Sequence, residues 1–340
     1  MKEFFKKNWK FAVETVVFLL IFAFLLTYVQ NIFEPKKECY GKYKYYNLEE
    51  DDSLDIVYFG NSRVNRGINP MVVDDITGYR SFNYGIQGLR ANHIYFRLMD
   101  ALSTQTPKLI VLDAAVYLPS KESLEEAYIH RTLISLPFST FKIKSALELG
   151  TDEDMKKELI FPMLRFHSRY REISSVDYLY IMDLNPDIDY ELKSSEETMA
   201  THRGYMPYPT EKKLADDGKK YFDKDYSTIT DIAEPEADAD KYFKKMVEEA
   251  EKIGAQVLIT SIPSLEKAGN AKKMEPIMNY LRETYKDDPN VKFLDFNLMM
   301  KDYGFSYNNF HNEGHLNRTG AQIFSECLGD FIKENYDLKK

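Results

Sequence analysis

Five short apolar runs, spaced by amphipathic stretches, constrain the fold of this chain more than any other feature. Leu54 to Phe59, Ser81 to Tyr84, Lys108 to Leu112, Gln256 to Thr260 and Val291 to Leu294 are too short for globular helices. Lys-Leu-Ile-Val-Leu at Lys108 to Leu112 has the continuous apolar character of a strand buried on both faces. Helical periodicity falls between and after the runs, at Pro70 to Thr77, Ala91 to Leu102, Ala239 to Ile253, Met274 to Tyr285 and Gly320 to Glu334. Strands alternating with helices imply a parallel sheet covered on both faces, so the pattern predicts an α/β protein, a three-layer α/β/α sandwich. From about Tyr117 to Pro235 the alternation lapses into helical pieces and aromatic clusters such as Phe161 to His167, which predicts a large, mostly helical insertion. The acidic stretch Asp231 to Asp240 reads as a solvated linker and helix start.

Ahead of the first strand, Lys2, Lys6, Lys7 and Lys10 precede an apolar segment from Phe11 to Val29. About 20 residues are needed to span a bilayer as a helix. The segment leaves through Tyr28-Val29-Gln30-Asn31-Ile32-Phe33, without the small residues of a cleavage site, so an uncleaved membrane anchor is expected rather than a buried amphipathic helix. The lysines favour a cytoplasmic N-terminus, a bias weakened by Lys36 and Lys37. The expected division is a tail and anchor at 1–33, a stalk at 34–53 and an extracytoplasmic domain at 54–340 carrying the insertion at about 117–235. A formal net charge of -9 argues against a nucleic-acid binder. Cys39 and Cys327 form neither a disulfide framework nor a zinc spacing, and are either one bridge or two unrelated thiols.

In a parallel sheet, ligands bind beyond the carboxyl ends of the strands. Gly60-Asn61-Ser62 follows the first strand, Gly85 the second, Asp113 ends the third, Ser261 follows the fourth, and His315 precedes the last helix. All five land on one rim. A serine needs an adjacent base to become a nucleophile, and His315 is the candidate base for Ser62. The plainer alternatives are a helix-capping serine and a loop histidine packed under the final helix. Arg63 and Arg66 would suit an anionic head group, although arginines near a turn are commonly just solvated. His130-Arg131, His167-Ser168-Arg169 and His202-Arg203-Gly204-Tyr205 either line a groove or organise the insertion, and Tyr170 with Tyr178-Leu179-Tyr180 is core or membrane-proximal aromatic surface. His311 and His315 have the i,i+4 separation of some metal sites, but Gly314 between them argues for a loop, and no metal or cofactor is expected. The sequon at Asn317-Arg318-Thr319 coincides with the proposed site and reads as incidental.

These blocks resemble the SGNH or GDSL hydrolase superfamily, with Gly60-Asn61-Ser62 as the first block, Gly85 as the glycine of the second and His315 as the histidine of the last. An N-terminal anchor, Gly60 to Arg63, and His315-Leu316-Asn317 followed by Gly320-Ala321 are more similar still to its membrane-anchored, DltD-like branch. The resemblance implies a flavodoxin-like sandwich and acyl transfer on a cell-envelope polymer, either O-acylation of a polysaccharide or D-alanylation of a teichoic-acid-like polymer. It also implies a multi-span membrane O-acyltransferase as partner. Ser62 would be nucleophile, His315 base, and the amides of Ser62 and Gly85 with the Asn61 side chain would be oxyanion donors, with Arg63 alongside.

Two positions depart from that pattern. Asn312 stands where an Asp usually orients the histidine; it holds a tautomer but supplies no charge, unless Glu313 or Asp302 does. Asp113 stands where the third block carries an oxyanion-hole Asn, and would repel an oxyanion unless protonated or turned away. Beside the transferase stand two further readings, a carbohydrate deacetylase and a catalytically silent glycan- or partner-binding module.

Overall fold

The computed structural model describes residues 2–33, 52–118, 126–133, 136, 138–172, 203–208, 222, 226–265 and 271–338. Most of the expected stalk, Cys39, Tyr178-Leu179-Tyr180 and His202 lie outside the described residues, as do the side chains of Arg131, Arg169 and Tyr170. The chain forms two compact units, Met1–Gly41 with Leu133–Glu191, and Lys42–Thr132 with Leu192–Lys340.

In the first unit, α1 (Lys2–Phe33) contains a stretch, Asn8–Gln30, long and apolar enough to cross a membrane, and its apolar side chains are not covered by protein. The hydroxyls of Thr15 and Thr27 donate to the carbonyls of Phe11 (2.8 Å) and Ala23 (2.9 Å), so these polar groups are satisfied within the helix.

The second unit is built on β1 (Ile56–Phe59), β2 (Ser81–Asn83), β3 (Leu109–Asp113), β4 (Gln256–Ser261) and β5 (Val291–Asp295). All pair in parallel, in the order β2-β1-β3-β4-β5, which is the flavodoxin-like order. The first strand starts at Ile56 rather than Leu54 because the amides of Ser53 and Leu54 are taken by Gln105 Oε1, both at 3.0 Å. Between and after the strands come α2 (Ser62–Gly67), α3 (Pro70–Thr77) and α4 (Ala91–Ala101), then α5 (Glu126–Leu133), α6 (Thr140–Leu149), α7 (Glu153–Ile160) and α8 (Pro162–Phe166), of which α6 to α8 belong to the first unit. The second unit continues with α9 (Ala237–Lys252), α10 (Ala271–Thr284), α11 (Phe296–Met299) and α12 (Arg318–Asn335), and a short antiparallel hairpin of β6 (Phe310–Asn312) and β7 (His315–Leu316) precedes α12.

Side chains alternate across the strands. Ile56, Tyr58, Leu109, Val111 and Leu258 pack with Phe324, Leu328 and Ile332 of α12, which also lies against α3. Their alternates Val57, Ile110, Leu112, Val257 and Ile259 are equally buried, on the face covered by α9, which packs against both α4 and β4. Two helical layers therefore enclose one sheet. Within the stretch read as an insertion, residues 203–208 belong to this unit: Arg203 O accepts from Asn83 N–H (3.0 Å), Met206 N–H donates to Asn65 O (3.0 Å), and Tyr205 is buried.

The start of α12 is fixed by a close backbone approach. Asn317 N–H donates to Asn309 O (3.0 Å), and a Cβ at Gly320 would stand 2.1 Å from that same oxygen. Gly320→Ala should therefore lower the unfolding free energy by about 2 kcal/mol, as overpacking against backbone does, read as a shift in a denaturant midpoint at unchanged slope.

Candidate active site

Strand β1 is flanked by β2 and β3, so the gap beyond its carboxyl end is the place where the strand order reverses. The chain leaves β1 through Gly60 and turns at once into α2. Gly60 admits this turn because a Cβ there would meet Val64 at 2.3 Å and Asp113 at 3.1 Å. Asn61, not Ser62, is the helix cap: its Oδ1 accepts from Arg63 N–H at 3.0 Å. Ser62 is the first residue of the helix and half-buried, so neither its hydroxyl nor its amide is used in capping.

Across 253 residues of sequence, His315 Nε2 lies 2.7 Å from Ser62 Oγ. Its Nδ1 lies 2.9 Å from Asn312 Oδ1. Asn312 Oδ1 also accepts the N–H of Gly314 at 3.0 Å. A backbone N–H donates only to the oxygen of a carboxamide, so this bond fixes which way the Asn312 amide points. The imidazole must then carry its proton on Nδ1 and present the Nε2 lone pair to the Ser62 hydroxyl. An Asn turned the other way would impose the wrong tautomer. Neither Glu313 nor Asp302 appears among the groups acting on the ring.

Burial, then the positive charges of Arg63 and Arg66, and then His311, push the His315 imidazole down to about 4. The imidazole is therefore neutral at neutral pH and a weak proton acceptor. Arg63 is buried and donates from Nη1 to Ser264 Oγ at 3.0 Å, so the solvated state common for such arginines does not apply. Arg66 donates from Nη1 to the carbonyls of Met206 (2.8 Å) and Pro207 (3.1 Å), and its guanidinium lies 4.6 Å from the centre of the Tyr208 ring. That ring stacks on His311 with centroids 3.6 Å apart and meets His315 edge-on at 6.1 Å. His311 thus faces an aromatic ring.

Two expected oxyanion-side residues have other work. The Gly85 N–H donates to Asn83 Oδ1 at 2.9 Å, and Gly85 lies under α2, where a Cβ would come within 2.6 Å of Asn65 N. It serves close packing, and its amide is already taken. Asp113 is fully buried, with Oδ1 accepting from Ala115 N–H (3.3 Å) and Ile262 N–H (3.5 Å). It joins the ends of β3 and β4 and does not face a substrate. Burial pushes its carboxyl up to about 6, against the opposing pull of Arg63 and the two amides. Among the described residues, the Ser62 N–H and the Asn61 side-chain NH2 make no hydrogen bond, and both remain as donors beside Ser62 Oγ.

Sequence reasoning missed Tyr208, Met206 and Pro207, because nothing in a segment without strand or helix pattern marks it as returning to the sheet rim. It also passed over Asn317 as a sequon. Asn317 is buried and caps α12, accepting from Gly320 N–H (2.9 Å) and donating to Asn308 O (2.7 Å). Ser261 is buried and donates to Asp295 Oδ1 at 2.6 Å.

Protonating His315 occupies the Nε2 lone pair that faces Ser62, so any Ser62-dependent ester hydrolysis should rise with pH through a midpoint near 4 and then stay level. A carboxylate beside an imidazole favours its charged form. Asn312→Asp should therefore move the acid limb upward, as read in a pH profile of ester hydrolysis.

No protein-family description matches this chain, and no curated protein does. Among solved structures it is similar to the crystal structure of a "putative acylhydrolase" from Bacteroides fragilis, at 12% identity and a TM-score of 0.38, over 86% of this chain and 93% of that one.

Proposed function

We propose that the chain is a serine acyl-transfer enzyme, anchored in a membrane through α1 and working on a cell-envelope polymer. The observation that carries this reading is the Ser62 Oγ to His315 Nε2 distance of 2.7 Å, with the tautomer held by Asn312. In the proposed reaction the Ser62 O–H bond breaks, its proton passes to Nε2, and Oγ bonds to the carbonyl carbon of an ester. The Ser62 amide and the Asn61 NH2 would stabilise the tetrahedral oxyanion. On collapse, the C–O bond to the leaving alcohol breaks and Nε2 returns the proton to it. A sugar hydroxyl or water then attacks the acyl-serine by the reverse sequence, giving transfer or hydrolysis.

The resemblance to DltD-like proteins supports a polysaccharide or teichoic-acid-like acceptor, an extracytoplasmic catalytic domain with a cytoplasmic N-terminus, and a multi-span membrane O-acyltransferase as donor-side partner. A deacetylase uses the same first half-reaction. A second reading, a catalytically silent binding module, is favoured by Asn312 in place of a carboxylate and by the occupied Gly85 amide.

The test is labelling of the full-length chain by an activated-serine probe and turnover of p-nitrophenyl acetate, compared with Ser62→Ala and His315→Ala. Both variants should lose labelling and at least about 10³-fold in kcat. Probe labelling that survives in Ser62→Ala would sink the assignment, and a parent that is inert even with its membrane partner present would favour the silent module.

A further inference from the structure

The helical pieces between residues 138 and 172 belong to the same unit as α1, and α8 packs directly on that helix. From Trp9 to Leu25 every side chain of α1 is exposed. Cover sets in at Leu26, Val29 and Gln30, which share one stripe by helical spacing, and Gln30 is buried. Counting about 20 residues for a bilayer core from Phe11, just past Lys10, puts its far edge at Gln30. Tyr28, exposed at that level, is the kind of amphipathic aromatic residue that membrane–water boundaries favour. Leu26 to Gln30 rises only about 6 Å, so an element resting there sits at the depth of headgroups and upper acyl carbons.

This lobe has its own small core in Leu136, Ala146, Leu149 and Leu159, and it also turns apolar groups outward. Leu164 of α8 is 43% exposed, and Phe138 is 56% exposed with its ring 6.1 Å from that of Phe161. Phe161 caps α8, and its carbonyl accepts from Leu164 N–H at 2.9 Å, so the two side chains leave the same side of one turn. An apolar residue just before a helix cap commonly packs back on the helix it precedes. Phe138 holds that place before the cap Ser139, yet more than half of it stays uncovered. The polar groups beside the patch are satisfied within the lobe: Arg165 Nη1 pairs with Glu158 Oε2 at 3.3 Å, and His167 Nδ1 donates to Leu164 O at 2.7 Å. An apolar surface whose neighbouring charges cancel suits a lipid boundary.

We propose that α8 and the Phe138 turn form a second membrane contact, seated in the leaflet at the C-terminal end of α1, with Phe138, Phe161 and Leu164 among the headgroups and upper acyl chains of a phospholipid bilayer. The occupant of this face is lipid because the face adjoins the exit of the spanning helix. A lone span leaves a domain free to swing about its anchor. A contact to one side of the span fixes the tilt and rotation of this unit against the bilayer. The aromatic cluster from Phe161 to His167, which lies in a stretch without strand and helix alternation, acquires its role from this placement. The inference rests on the anchoring part of the proposed function and is independent of acyl transfer.

Trp9 is the one tryptophan of the chain, so Trp9→Phe gives a silent background for tryptophan fluorescence. Leu20→Trp, Phe138→Trp and Leu164→Trp are made in it one at a time, all at exposed apolar positions, and each full-length chain is reconstituted in phosphatidylcholine vesicles. Quenching is read with phosphatidylcholine spin-labelled near the headgroup or near the chain end, and with iodide on both sides of the bilayer. The Leu20→Trp chain should be quenched most by the deep label. The Phe138→Trp and Leu164→Trp chains should be shielded from iodide and quenched at least about 2-fold more by the shallow label than by the deep one, as interfacial seating requires. If Leu20→Trp reports the deep position while both other sites stay open to iodide and untouched by either label, the proposal is overturned and the anchor stands. Shielding from iodide without quenching by lipid means that protein covers the face, and overturns it too. Absence of lipid quenching at all three sites removes the anchoring reading as well, whereas quenching at 138 and 164 alone keeps the surface contact and removes the span.

Discussion

A parallel sheet sends the carboxyl ends of all its strands to one rim, and the placement of Ser62 follows from that constraint. Parallel neighbours need crossovers, the crossovers here are helical, and in such sheets ligands bind beyond the carboxyl ends of the strands. In this chain β1 lies between β2 and β3, so the loop after it opens at the reversal of strand order. Ser62 stands one turn of backbone beyond that point.

The second half of the site reaches the rim by a different physical route. His315 is not at the end of a sheet strand; it belongs to a two-stranded hairpin held to the rest by the start of α12. Asn309 O receives Asn317 N–H, Asn317 caps the helix, and Gly320 gives the room for both. The long apolar face of α12, with Phe324, Leu328 and Ile332 in the core, holds this arrangement against the sheet. Packing far from these two side chains thereby sets the 2.7 Å between Ser62 and His315.

Electrostatics distinguish this site from a conventional charged triad. Asn312 fixes the tautomer through its shared bond with Gly314 but adds no charge, while Arg63 and Arg66 bias the imidazole toward its neutral form. The arrangement has the geometry for proton transfer and lacks the field that usually stabilises the resulting cation.

The sequence by itself determined the α/β class, the parallel sheet, the apolar N-terminal helix and the pairing of Ser62 with His315. Burial on both faces forces continuous apolar runs that are legible one strand at a time, and the site residues follow strand ends. Asn312 beside the His315 ring was indicated by the resemblance to the SGNH pattern, and the structure places its Oδ1 2.9 Å from Nδ1. Only the tertiary structure decided what side-chain direction controls. Gly85 gives its amide to Asn83, Asp113 turns into the gap between two strand ends, and Tyr208 returns from an unpatterned stretch to lie between Arg66 and His311. Such choices depend on which donors and rings meet across tens to hundreds of residues, and periodicity, which reports only how a segment divides its surface between core and solvent, holds no record of them.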